Sequence, residues 1–258
     1  MTPIADILAG ATRTDDGFRA TIPTGWLQGR TSYGGLSSAL ALHAAQACEP
    51  DLPPLRSAQI AFIGPLSGEV SVTATKLRRG RNAAFIQADI VSEAGLGFRA
   101  TFVFMSDQVS EIDLDGRLQS PHRPPAPDAK LYTGPDEFFT GNFNFLYLKD
   151  SAPGEAEWLR WARLRAFEGL DPMIEVLAVA DGLPPAAFKL LGKRQAPISS
   201  LTWIVNLLTA APVTRDGWWL LSATSDYAKN GCSSQSMTIW NADGQPIAQG
   251  MQSVAIFA

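Results

Sequence analysis

"SPHRPPAPDAK", residues 120–130, decides how the rest of the chain is read. Pro121, Pro124, Pro125 and Pro127 fix φ and withdraw backbone donors, so the segment suits neither a helix nor an interior strand. It is predicted to be an extended linker. It cuts the 258-residue chain nearly in half, giving expected units at 1–119 and 131–258.

Outward from the linker, both halves show the same order of elements. Before it, "GFRATIP" (17–23) reads as a strand and "SYGGLSSALALHAAQA" (32–47) as a helix, with Leu36, Ala39, Leu40, His43, Ala44 and Ala47 at helical spacing. After the turn "EPDLPP" come four strand-like runs, at 57–63, 69–77, 82–92 and 97–105. Beyond the linker, "FNFLYLK" (143–149) and "EWLRWARLRAF" (157–167) read as strands. Asp171 then stands as N-cap and Pro172 at the first helical position of "DPMIEVLAVA". Four further strand-like runs follow, at 198–208, 217–227, 233–241 and 245–257. Hairpin signals fall at matching places, "SEAGLG" before the last strand of the first half and "NADGQP" before the last strand of the second. Such repetition predicts two copies of one supersecondary unit. A strand, one long helix and a curved antiparallel sheet wrapping it make a hotdog, so the expected fold is α+β, a double hotdog.

Composition narrows the function. A net charge of −4 offers no basic footprint for nucleic acid. Cys48 and Cys232 match neither a disulfide framework nor a metal-ligand spacing, and read as free thiols in a reducing compartment. The N-terminus lacks the pattern of a signal peptide, and no apolar run is long enough for a membrane span, so a cytoplasmic protein is expected. The two histidines, His43 and His122, lie within a helix and in the linker, and no G-x-S-x-G elbow is present, which disfavours a Ser–His–Asp hydrolase. Ligands for a metal and a glycine-rich phosphate loop are likewise missing, so neither metal nor cofactor is expected.

Over nearly its whole length the sequence resembles the type II (TesB-like) acyl-CoA thioesterases. The residues that carry the resemblance are "GGLSSALALHAA" (34–45), "FIGPLSGEVSVTATKLRRGRNAAFIQADI" (62–90) and "GFRATFVF" (97–104) in the first half. In the second they are "LAVADGLPP" (177–185), "LTWIVNLLTAAP" (201–212), "WWLLSAT" (218–224) and "NADGQPIAQGMQS" (241–253). The resemblance implies an acyl-CoA substrate and a site in which an Asp, a strand hydroxyl and a Gln hold a water. The Asp falls on Asp181 and the Gln on Gln252. The hydroxyl falls on Thr202 when the strand is set at equal length, or on Ser199 or Ser200 if it slips by two or three residues.

A thioester is already an activated acyl group, so its hydrolysis asks for a positioned water and a place for charge on the carbonyl oxygen. Asp181 would accept the proton, while the hydroxyl and Gln252 fix the water. Burial would raise the pKa of the carboxyl, and hydrogen bonds to its ionised form would lower it. Gly34 and Gly35 would let a substrate approach the backbone N–H groups of a helix start. Lys76, Arg78, Arg79 and Arg81 form a basic cluster suited to the phosphates of coenzyme A. Trp203, Trp218, Trp219 and Trp240 are candidates to line an acyl pocket.

Each of these residues has a plainer reading as well. Asp181 before Gly182 is a common way to end a helix, a strand Thr reflects β-propensity, and a basic run often marks a solvated hairpin tip. The strand "WIVNLLTAAP" also lacks the His or Arg that the family often carries before its Pro, as does "FIGP" in the first half. A rival reading from another class is therefore kept: an acyl-CoA or fatty-acyl binding hotdog without turnover. In either case, paired hotdogs expose sheet edges that favour a homodimer or a higher homo-oligomer.

Overall fold

A computed structural model of the protein describes residues 1–148, 154–194 and 196–257. The first half runs α1 (Ile4–Ala9), β1 (Thr12–Thr14), β2 (Gly17–Ile22), β3 (Leu27–Gln28), β4 (Thr31–Ser32), α2 (Gly34–Cys48), β5 (Leu55–Phe62), β6 (Gly68–Arg79), β7 (Ala83–Ser92) and β8 (Gly95–Met105). The second runs β9 (Phe143–Tyr147), β10 (Glu157–Leu164), α3 (Pro172–Ala180), β11 (Ile198–Leu207), β12 (Trp219–Lys229), β13 (Cys232–Trp240) and β14 (Pro246–Ile256). The strand expected at 143–149 is thus formed through Tyr147, and Lys149 lies outside the described residues.

Among the described residues, twelve strands form one antiparallel sheet in the order β1-β2-β6-β7-β8-β5-β11-β14-β13-β12-β10-β9, with β3 and β4 paired separately. Counted inward from each end, β2-β6-β7-β8-β5 has its counterpart in β10-β12-β13-β14-β11, so the halves are related by an approximate two-fold axis. That axis passes through the seam between β5 and β11, where Trp203 pairs with Ile60, Ile204 with Gln59 and Val205 with Ala58. The architecture is the double hotdog expected from the repeat. The matching hairpin signals also close as turns: Gly95 and Gly244, with φ of 98° and 79°, occupy the left-handed backbone region that a side chain resists.

The helices sit where their composition requires. α2 buries Leu36, Ala39, Leu40, Ala41, Leu42, Ala44 and Ala45, an all-round apolar set that suits only a central helix. It packs on β6, β7 and β8 on one side and on α3 on another. Its buried serines are satisfied locally: Ser38 Oγ donates to Gly34 O at 2.8 Å, and Ser37 Oγ to Ser32 Oγ at 3.1 Å. α3 begins as its sequence predicts, with Asp171 Oδ1 accepting from the N–H groups of Met173 (2.9 Å) and Ile174 (3.1 Å) and Pro172 in the first turn. It ends at Asp181, where the N–H of Gly182 turns back to Val179 O at 2.9 Å. None of the helices among the described residues is long and apolar enough to cross a membrane.

Residues 106–131, which include the proline-rich stretch, carry neither helix nor strand. This segment lies over the outer face of the second half. Trp240 Nε1 donates to Leu118 O at 3.0 Å, Ser120 N to Gly244 O at 2.9 Å, and Leu131 packs on a small apolar cluster built on Leu159, Trp161, Trp218 and Leu220.

Besides the seam between β5 and β11, the halves meet where the first turn of α2 lies against the last turn of α3. The hydroxyl of Tyr33 donates to Ala178 O at 2.8 Å, and its ring stacks on Phe139 at 4.2 Å between centroids. Gly35 lies so near α3 that a Cβ there would stand 2.3 Å from Ala178 O and 2.5 Å from the Tyr33 ring. Both neighbours are buried and one is backbone, so neither can yield cheaply. Gly35→Ala is therefore expected to cost about 2–3 kcal/mol of stability, measured as a lowered urea midpoint, with secondary structure unchanged by circular dichroism.

Candidate active site

Asp181 occupies the end of α3, and its carboxylate is turned toward the first turn of α2. The N–H of Gly35 donates to it. A Cβ on Gly34 would stand 2.5 Å from its Oδ2 and 2.7 Å from the ring of Phe62. The glycine pair therefore lets the amino end of one half's helix close on an acid at the carboxyl end of the other's. Neither half holds this arrangement alone.

From the sheet side, Gln252 on β14 reaches the same group, with Nε2 donating to Asp181 Oδ1 at 3.1 Å. Gln252 is 3% exposed, which is unusual for an amide and explained by its partners. Its Oε1 accepts from Gln235 Nε2 on β13 at 2.8 Å, and Gln235 Oε1 accepts from the N–H of Ala186 at 2.7 Å. Gln235 was not among the residues expected from the sequence. Its signal was present in the register, because Gln235 falls in phase with the buried Ser233, Met237 and Ile239 and so stands on the apolar face of its strand.

Strand alternation settles where the candidate hydroxyls point. On β11, Trp203 pairs with Gln252 and is buried, so that face looks inward. Thr202 pairs with Ser253 on the other face and is exposed, as is Ser199 opposite Ala255. A bulge between Ser200 and Thr202 inserts Leu201 and reverses the phase. Ser200, opposite the buried Val254, consequently shares the inward face with Gln252 and is partly buried. The structure thus brings Asp181 and Gln252 into contact, sets Ser200 on the inward face of the strand next to Gln252, and turns Thr202 to the other face.

The remaining expected residues are dispersed. The basic cluster lies beside the carboxyl end of α2, where Lys76 pairs with Glu49 at 2.8 Å and Arg79 donates to Asp51 O at 3.0 Å. Asp181 is at the other end of that helix, about 22 Å away for a helix of this length. Arg78 and Arg81 have no ion-pair partner among the described residues. Of the four tryptophans, Trp203 alone neighbours Gln252. Trp218 and Trp240 pack in the outer cluster, and Trp219 donates to Glu175 on α3 at 2.7 Å. A cavity of about 520 Å³ lies instead beside the proline-rich segment, lined by His122, Arg123, Arg215 and Asp243.

Behind the site sits a group that no motif signalled. Arg160 on β10 is 2% exposed and stacks over the rings of Tyr147 (3.9 Å) and Phe145 (4.6 Å). It donates to the hydroxyl of Tyr147 and, at 3.4 Å, to Gly182 O, holding the turn that leaves Asp181. Burial lowers its pKa from the usual range, with Tyr147 opposing.

Electrostatically, Asp181 is poised. Desolvation by burial pushes its carboxyl up to about 7, while the hydrogen bonds from Gln252 and Gly35 pull in the other direction. The loss of hydration outweighs two donors, which leaves an acid that exchanges its proton near neutrality. In chemical terms the site offers a carboxylate able to take a proton and an amide pointed at it, with a hydroxyl on the same face of the strand next to that amide.

Comparisons with known proteins identify the family and the fold. Residues 22–105 match the family model described as the acyl-CoA thioesterase N-terminal domain, and residues 115–256 match the one described as the acyl-CoA thioesterase C-terminal domain. No curated protein matches the chain at a significant level. Among solved structures, it is similar to a conserved protein of unknown function with hot dog fold from Alicyclobacillus acidocaldarius, at 20% identity and TM-score 0.81, covering 100% of this chain and 99% of that one. It is also similar to the tesB protein of Mycobacterium avium subs paratuberculosis, at 18% identity and TM-score 0.78 with 99% of each chain covered. A third is the acyl-CoA thioesterase II TesB2 of Mycobacterium marinum, at 17% identity and TM-score 0.76, covering 99% of this chain and 97% of that one. At such identities the likeness establishes the fold, which is the hotdog in tandem.

The raised pKa has a consequence for stability. Asp181 titrates near 7 in the folded chain against 3.8 for an ordinary aspartate, so between these values the folded state keeps a proton that the unfolded state has lost. Stability from this group therefore falls as pH rises through that window and stays lowered above it. Asp181→Asn is expected to be more stable than the parent at pH 8 by about 2–4 kcal/mol, with the difference shrinking toward zero near pH 4. Urea denaturation at the two pH values measures it.

Proposed function

The chain belongs to the acyl-CoA thioesterase family and is a thioester hydrolase, and from that premise we propose that it hydrolyses an acyl-CoA by water that Asp181 deprotonates. The observation that carries this reading is the contact of Gln252 with an Asp181 carboxylate whose burial sets its pKa at about 7. A general base works best when its pKa lies near the operating pH, since it must be ionised and still want a proton.

In the reaction, Asp181 takes a proton from water as the oxygen bonds to the thioester carbon. The carbonyl oxygen carries the displaced electron pair as the tetrahedral intermediate forms. When that pair returns, the carbon–sulfur bond breaks, the thiolate of coenzyme A leaves and receives the proton held by Asp181, and the free acid remains. The amide of Gln252 and the hydroxyl of Ser200 orient the water. Ser200 is preferred to Thr202 because it shares the inward strand face with Gln252. The carbonyl oxygen approaches the first turn of α2, where bare backbone at Gly34 and Gly35 and the positive end of the helix favour developing charge. The N–H of Gly35 already answers Asp181, so the oxyanion draws on the other N–H groups of that turn.

Release of thiol from a series of straight-chain acyl-CoAs tests the proposal. Asp181→Asn is expected to lower kcat by about 10²- to 10⁴-fold. The kcat of the parent is expected to rise with pH through about 7 and then level, because the ionised carboxylate is the active form. Wild-type rates in Asp181→Asn would overturn the assignment. Saturable binding of acyl-CoA with no turnover by the parent would favour a binding protein.

The two hydroxyls are separated by a second comparison. Ser200→Ala is expected to lower kcat about 10-fold, the worth of one hydrogen bond to a developing charge, and Thr202→Ala to leave it within about twofold. The reverse order would return the role to Thr202.

A further inference from the structure

Gln252 carries both a donor and an acceptor on one planar amide, and the two ends do opposite things to a neighbouring carboxylate. An NH₂ group turned toward Asp181 favours the ionised form; a carbonyl turned toward it favours the protonated form. The direction of one amide therefore decides whether Asp181 is a base. Nothing in Gln252 itself sets that direction.

We propose that Gln235 is a positioning residue for the hydrolytic site, passing the fixed polarity of the Ala186 backbone N–H through its own amide to that of Gln252. The inference rests on Asp181 being the base. A backbone N–H can only donate. The atom of Gln235 that lies 2.7 Å from Ala186 N must accordingly be its oxygen, which leaves its NH₂ for Gln252 at 2.8 Å. Gln252 must then accept with its own oxygen and turn its NH₂ to Asp181 at 3.1 Å. Each orientation follows from the one before it, beginning at a group whose polarity is covalent.

The loop that supplies this donor is built for the purpose. Ala186 follows Asp181 by five residues, through Gly182, Leu183, Pro184 and Pro185. The two prolines have no N–H and fix their own φ, so Ala186 carries the first backbone donor after Leu183 and is held rigidly relative to the acid. Gln235 and Gln252 are 2% and 3% exposed, so water does not compete for their amides. The charged and titratable groups around Asp181 are engaged elsewhere: Tyr33 from the α2 side donates to Ala178 O, Arg160 from β10 to Gly182 O, and Glu175 on α3 accepts from Trp219. The amide chain is left as the adjustable influence on its proton.

Two variants test it, each with the titration of Asp181 followed directly by ¹³C NMR of labelled aspartate, the resonance being identified by its loss in Asp181→Asn. Gln235→Glu still accepts from Ala186 but has no hydrogen to give, so it draws the NH₂ of Gln252 toward itself and turns the Gln252 carbonyl onto Asp181. The midpoint of Asp181, and with it the rise of kcat with pH, is expected to move up by about one unit or more. Gln235→Met keeps the volume and removes the relay. It is expected to lower kcat by about 10-fold with KM within about twofold, and to shift the midpoint upward by less than the Glu variant. A merely structural Gln235 would lower thermal stability and leave the Asp181 titration of the Met variant where it was, whereas the carboxylate of the Glu variant adds a like charge that raises it in either case. An unmoved midpoint in Gln235→Met, with Asp181→Asn inactive, would overturn the relay and spare the base. Full activity in Asp181→Asn would overturn both.

Discussion

The first turn of α2 lies against the last turn of α3 at a separation that only backbone without side chains permits. Gly35 meets the carbonyl of Ala178, and Gly34 meets the carboxylate of Asp181, each at a distance no Cβ could occupy. This contact joins the two halves near their pseudo-two-fold axis, and the same contact takes the carboxylate out of water. Cohesion and chemistry are here one constraint. A larger residue at either glycine would open the joint and rehydrate the acid together.

Burial of the carboxylate carries a cost that the fold does not recover. A free aspartate is ionised at neutral pH with full hydration, whereas Asp181 receives two hydrogen bonds that do not make up for what it loses, and its pKa rises to about 7. The difference is stability given up for reactivity, a common condition of functional residues. The rest of the neighbourhood is arranged to tolerate it. Arg160 braces the carbonyl of Gly182, Tyr33 that of Ala178, and the amides of Gln235 and Gln252 complete each other rather than being left unpaired.

Duplication explains why one chain can do this. The palindromic strand order places α2 and α3 side by side at the centre of a single twelve-stranded sheet. With both copies on one chain, each half is free to change independently. The first half supplies a helix start with glycines; the second supplies the acid, the two glutamines and the strand with the hydroxyl. A symmetric pair would carry every part twice. Here one complete set is divided between the halves.

Much of this was legible in the residues. Periodicity of three and four located α2, an N-cap followed by proline located α3, and glycine turns located the paired hairpins, because these are short-range preferences that neighbouring residues express by themselves. The resemblance then singled out Asp181 and Gln252, which the fold brings into contact. What the sequence did not determine is everything that depends on register. Thr202 and Ser200 differ by two positions and would share a face in a regular strand; the bulge at Leu201 puts them on opposite sides. Gln235 stands in phase with Met237 and Ile239, but its partner Gln252 is found only when β13 is paired with β14. The glycine pair reads equally as helix packing until Asp181 is seen against it. Local sequence chose the elements, since their propensities are intrinsic. The site was decided by tertiary structure, since which strands are neighbours, and in what phase, follows from closing the whole sheet around two helices.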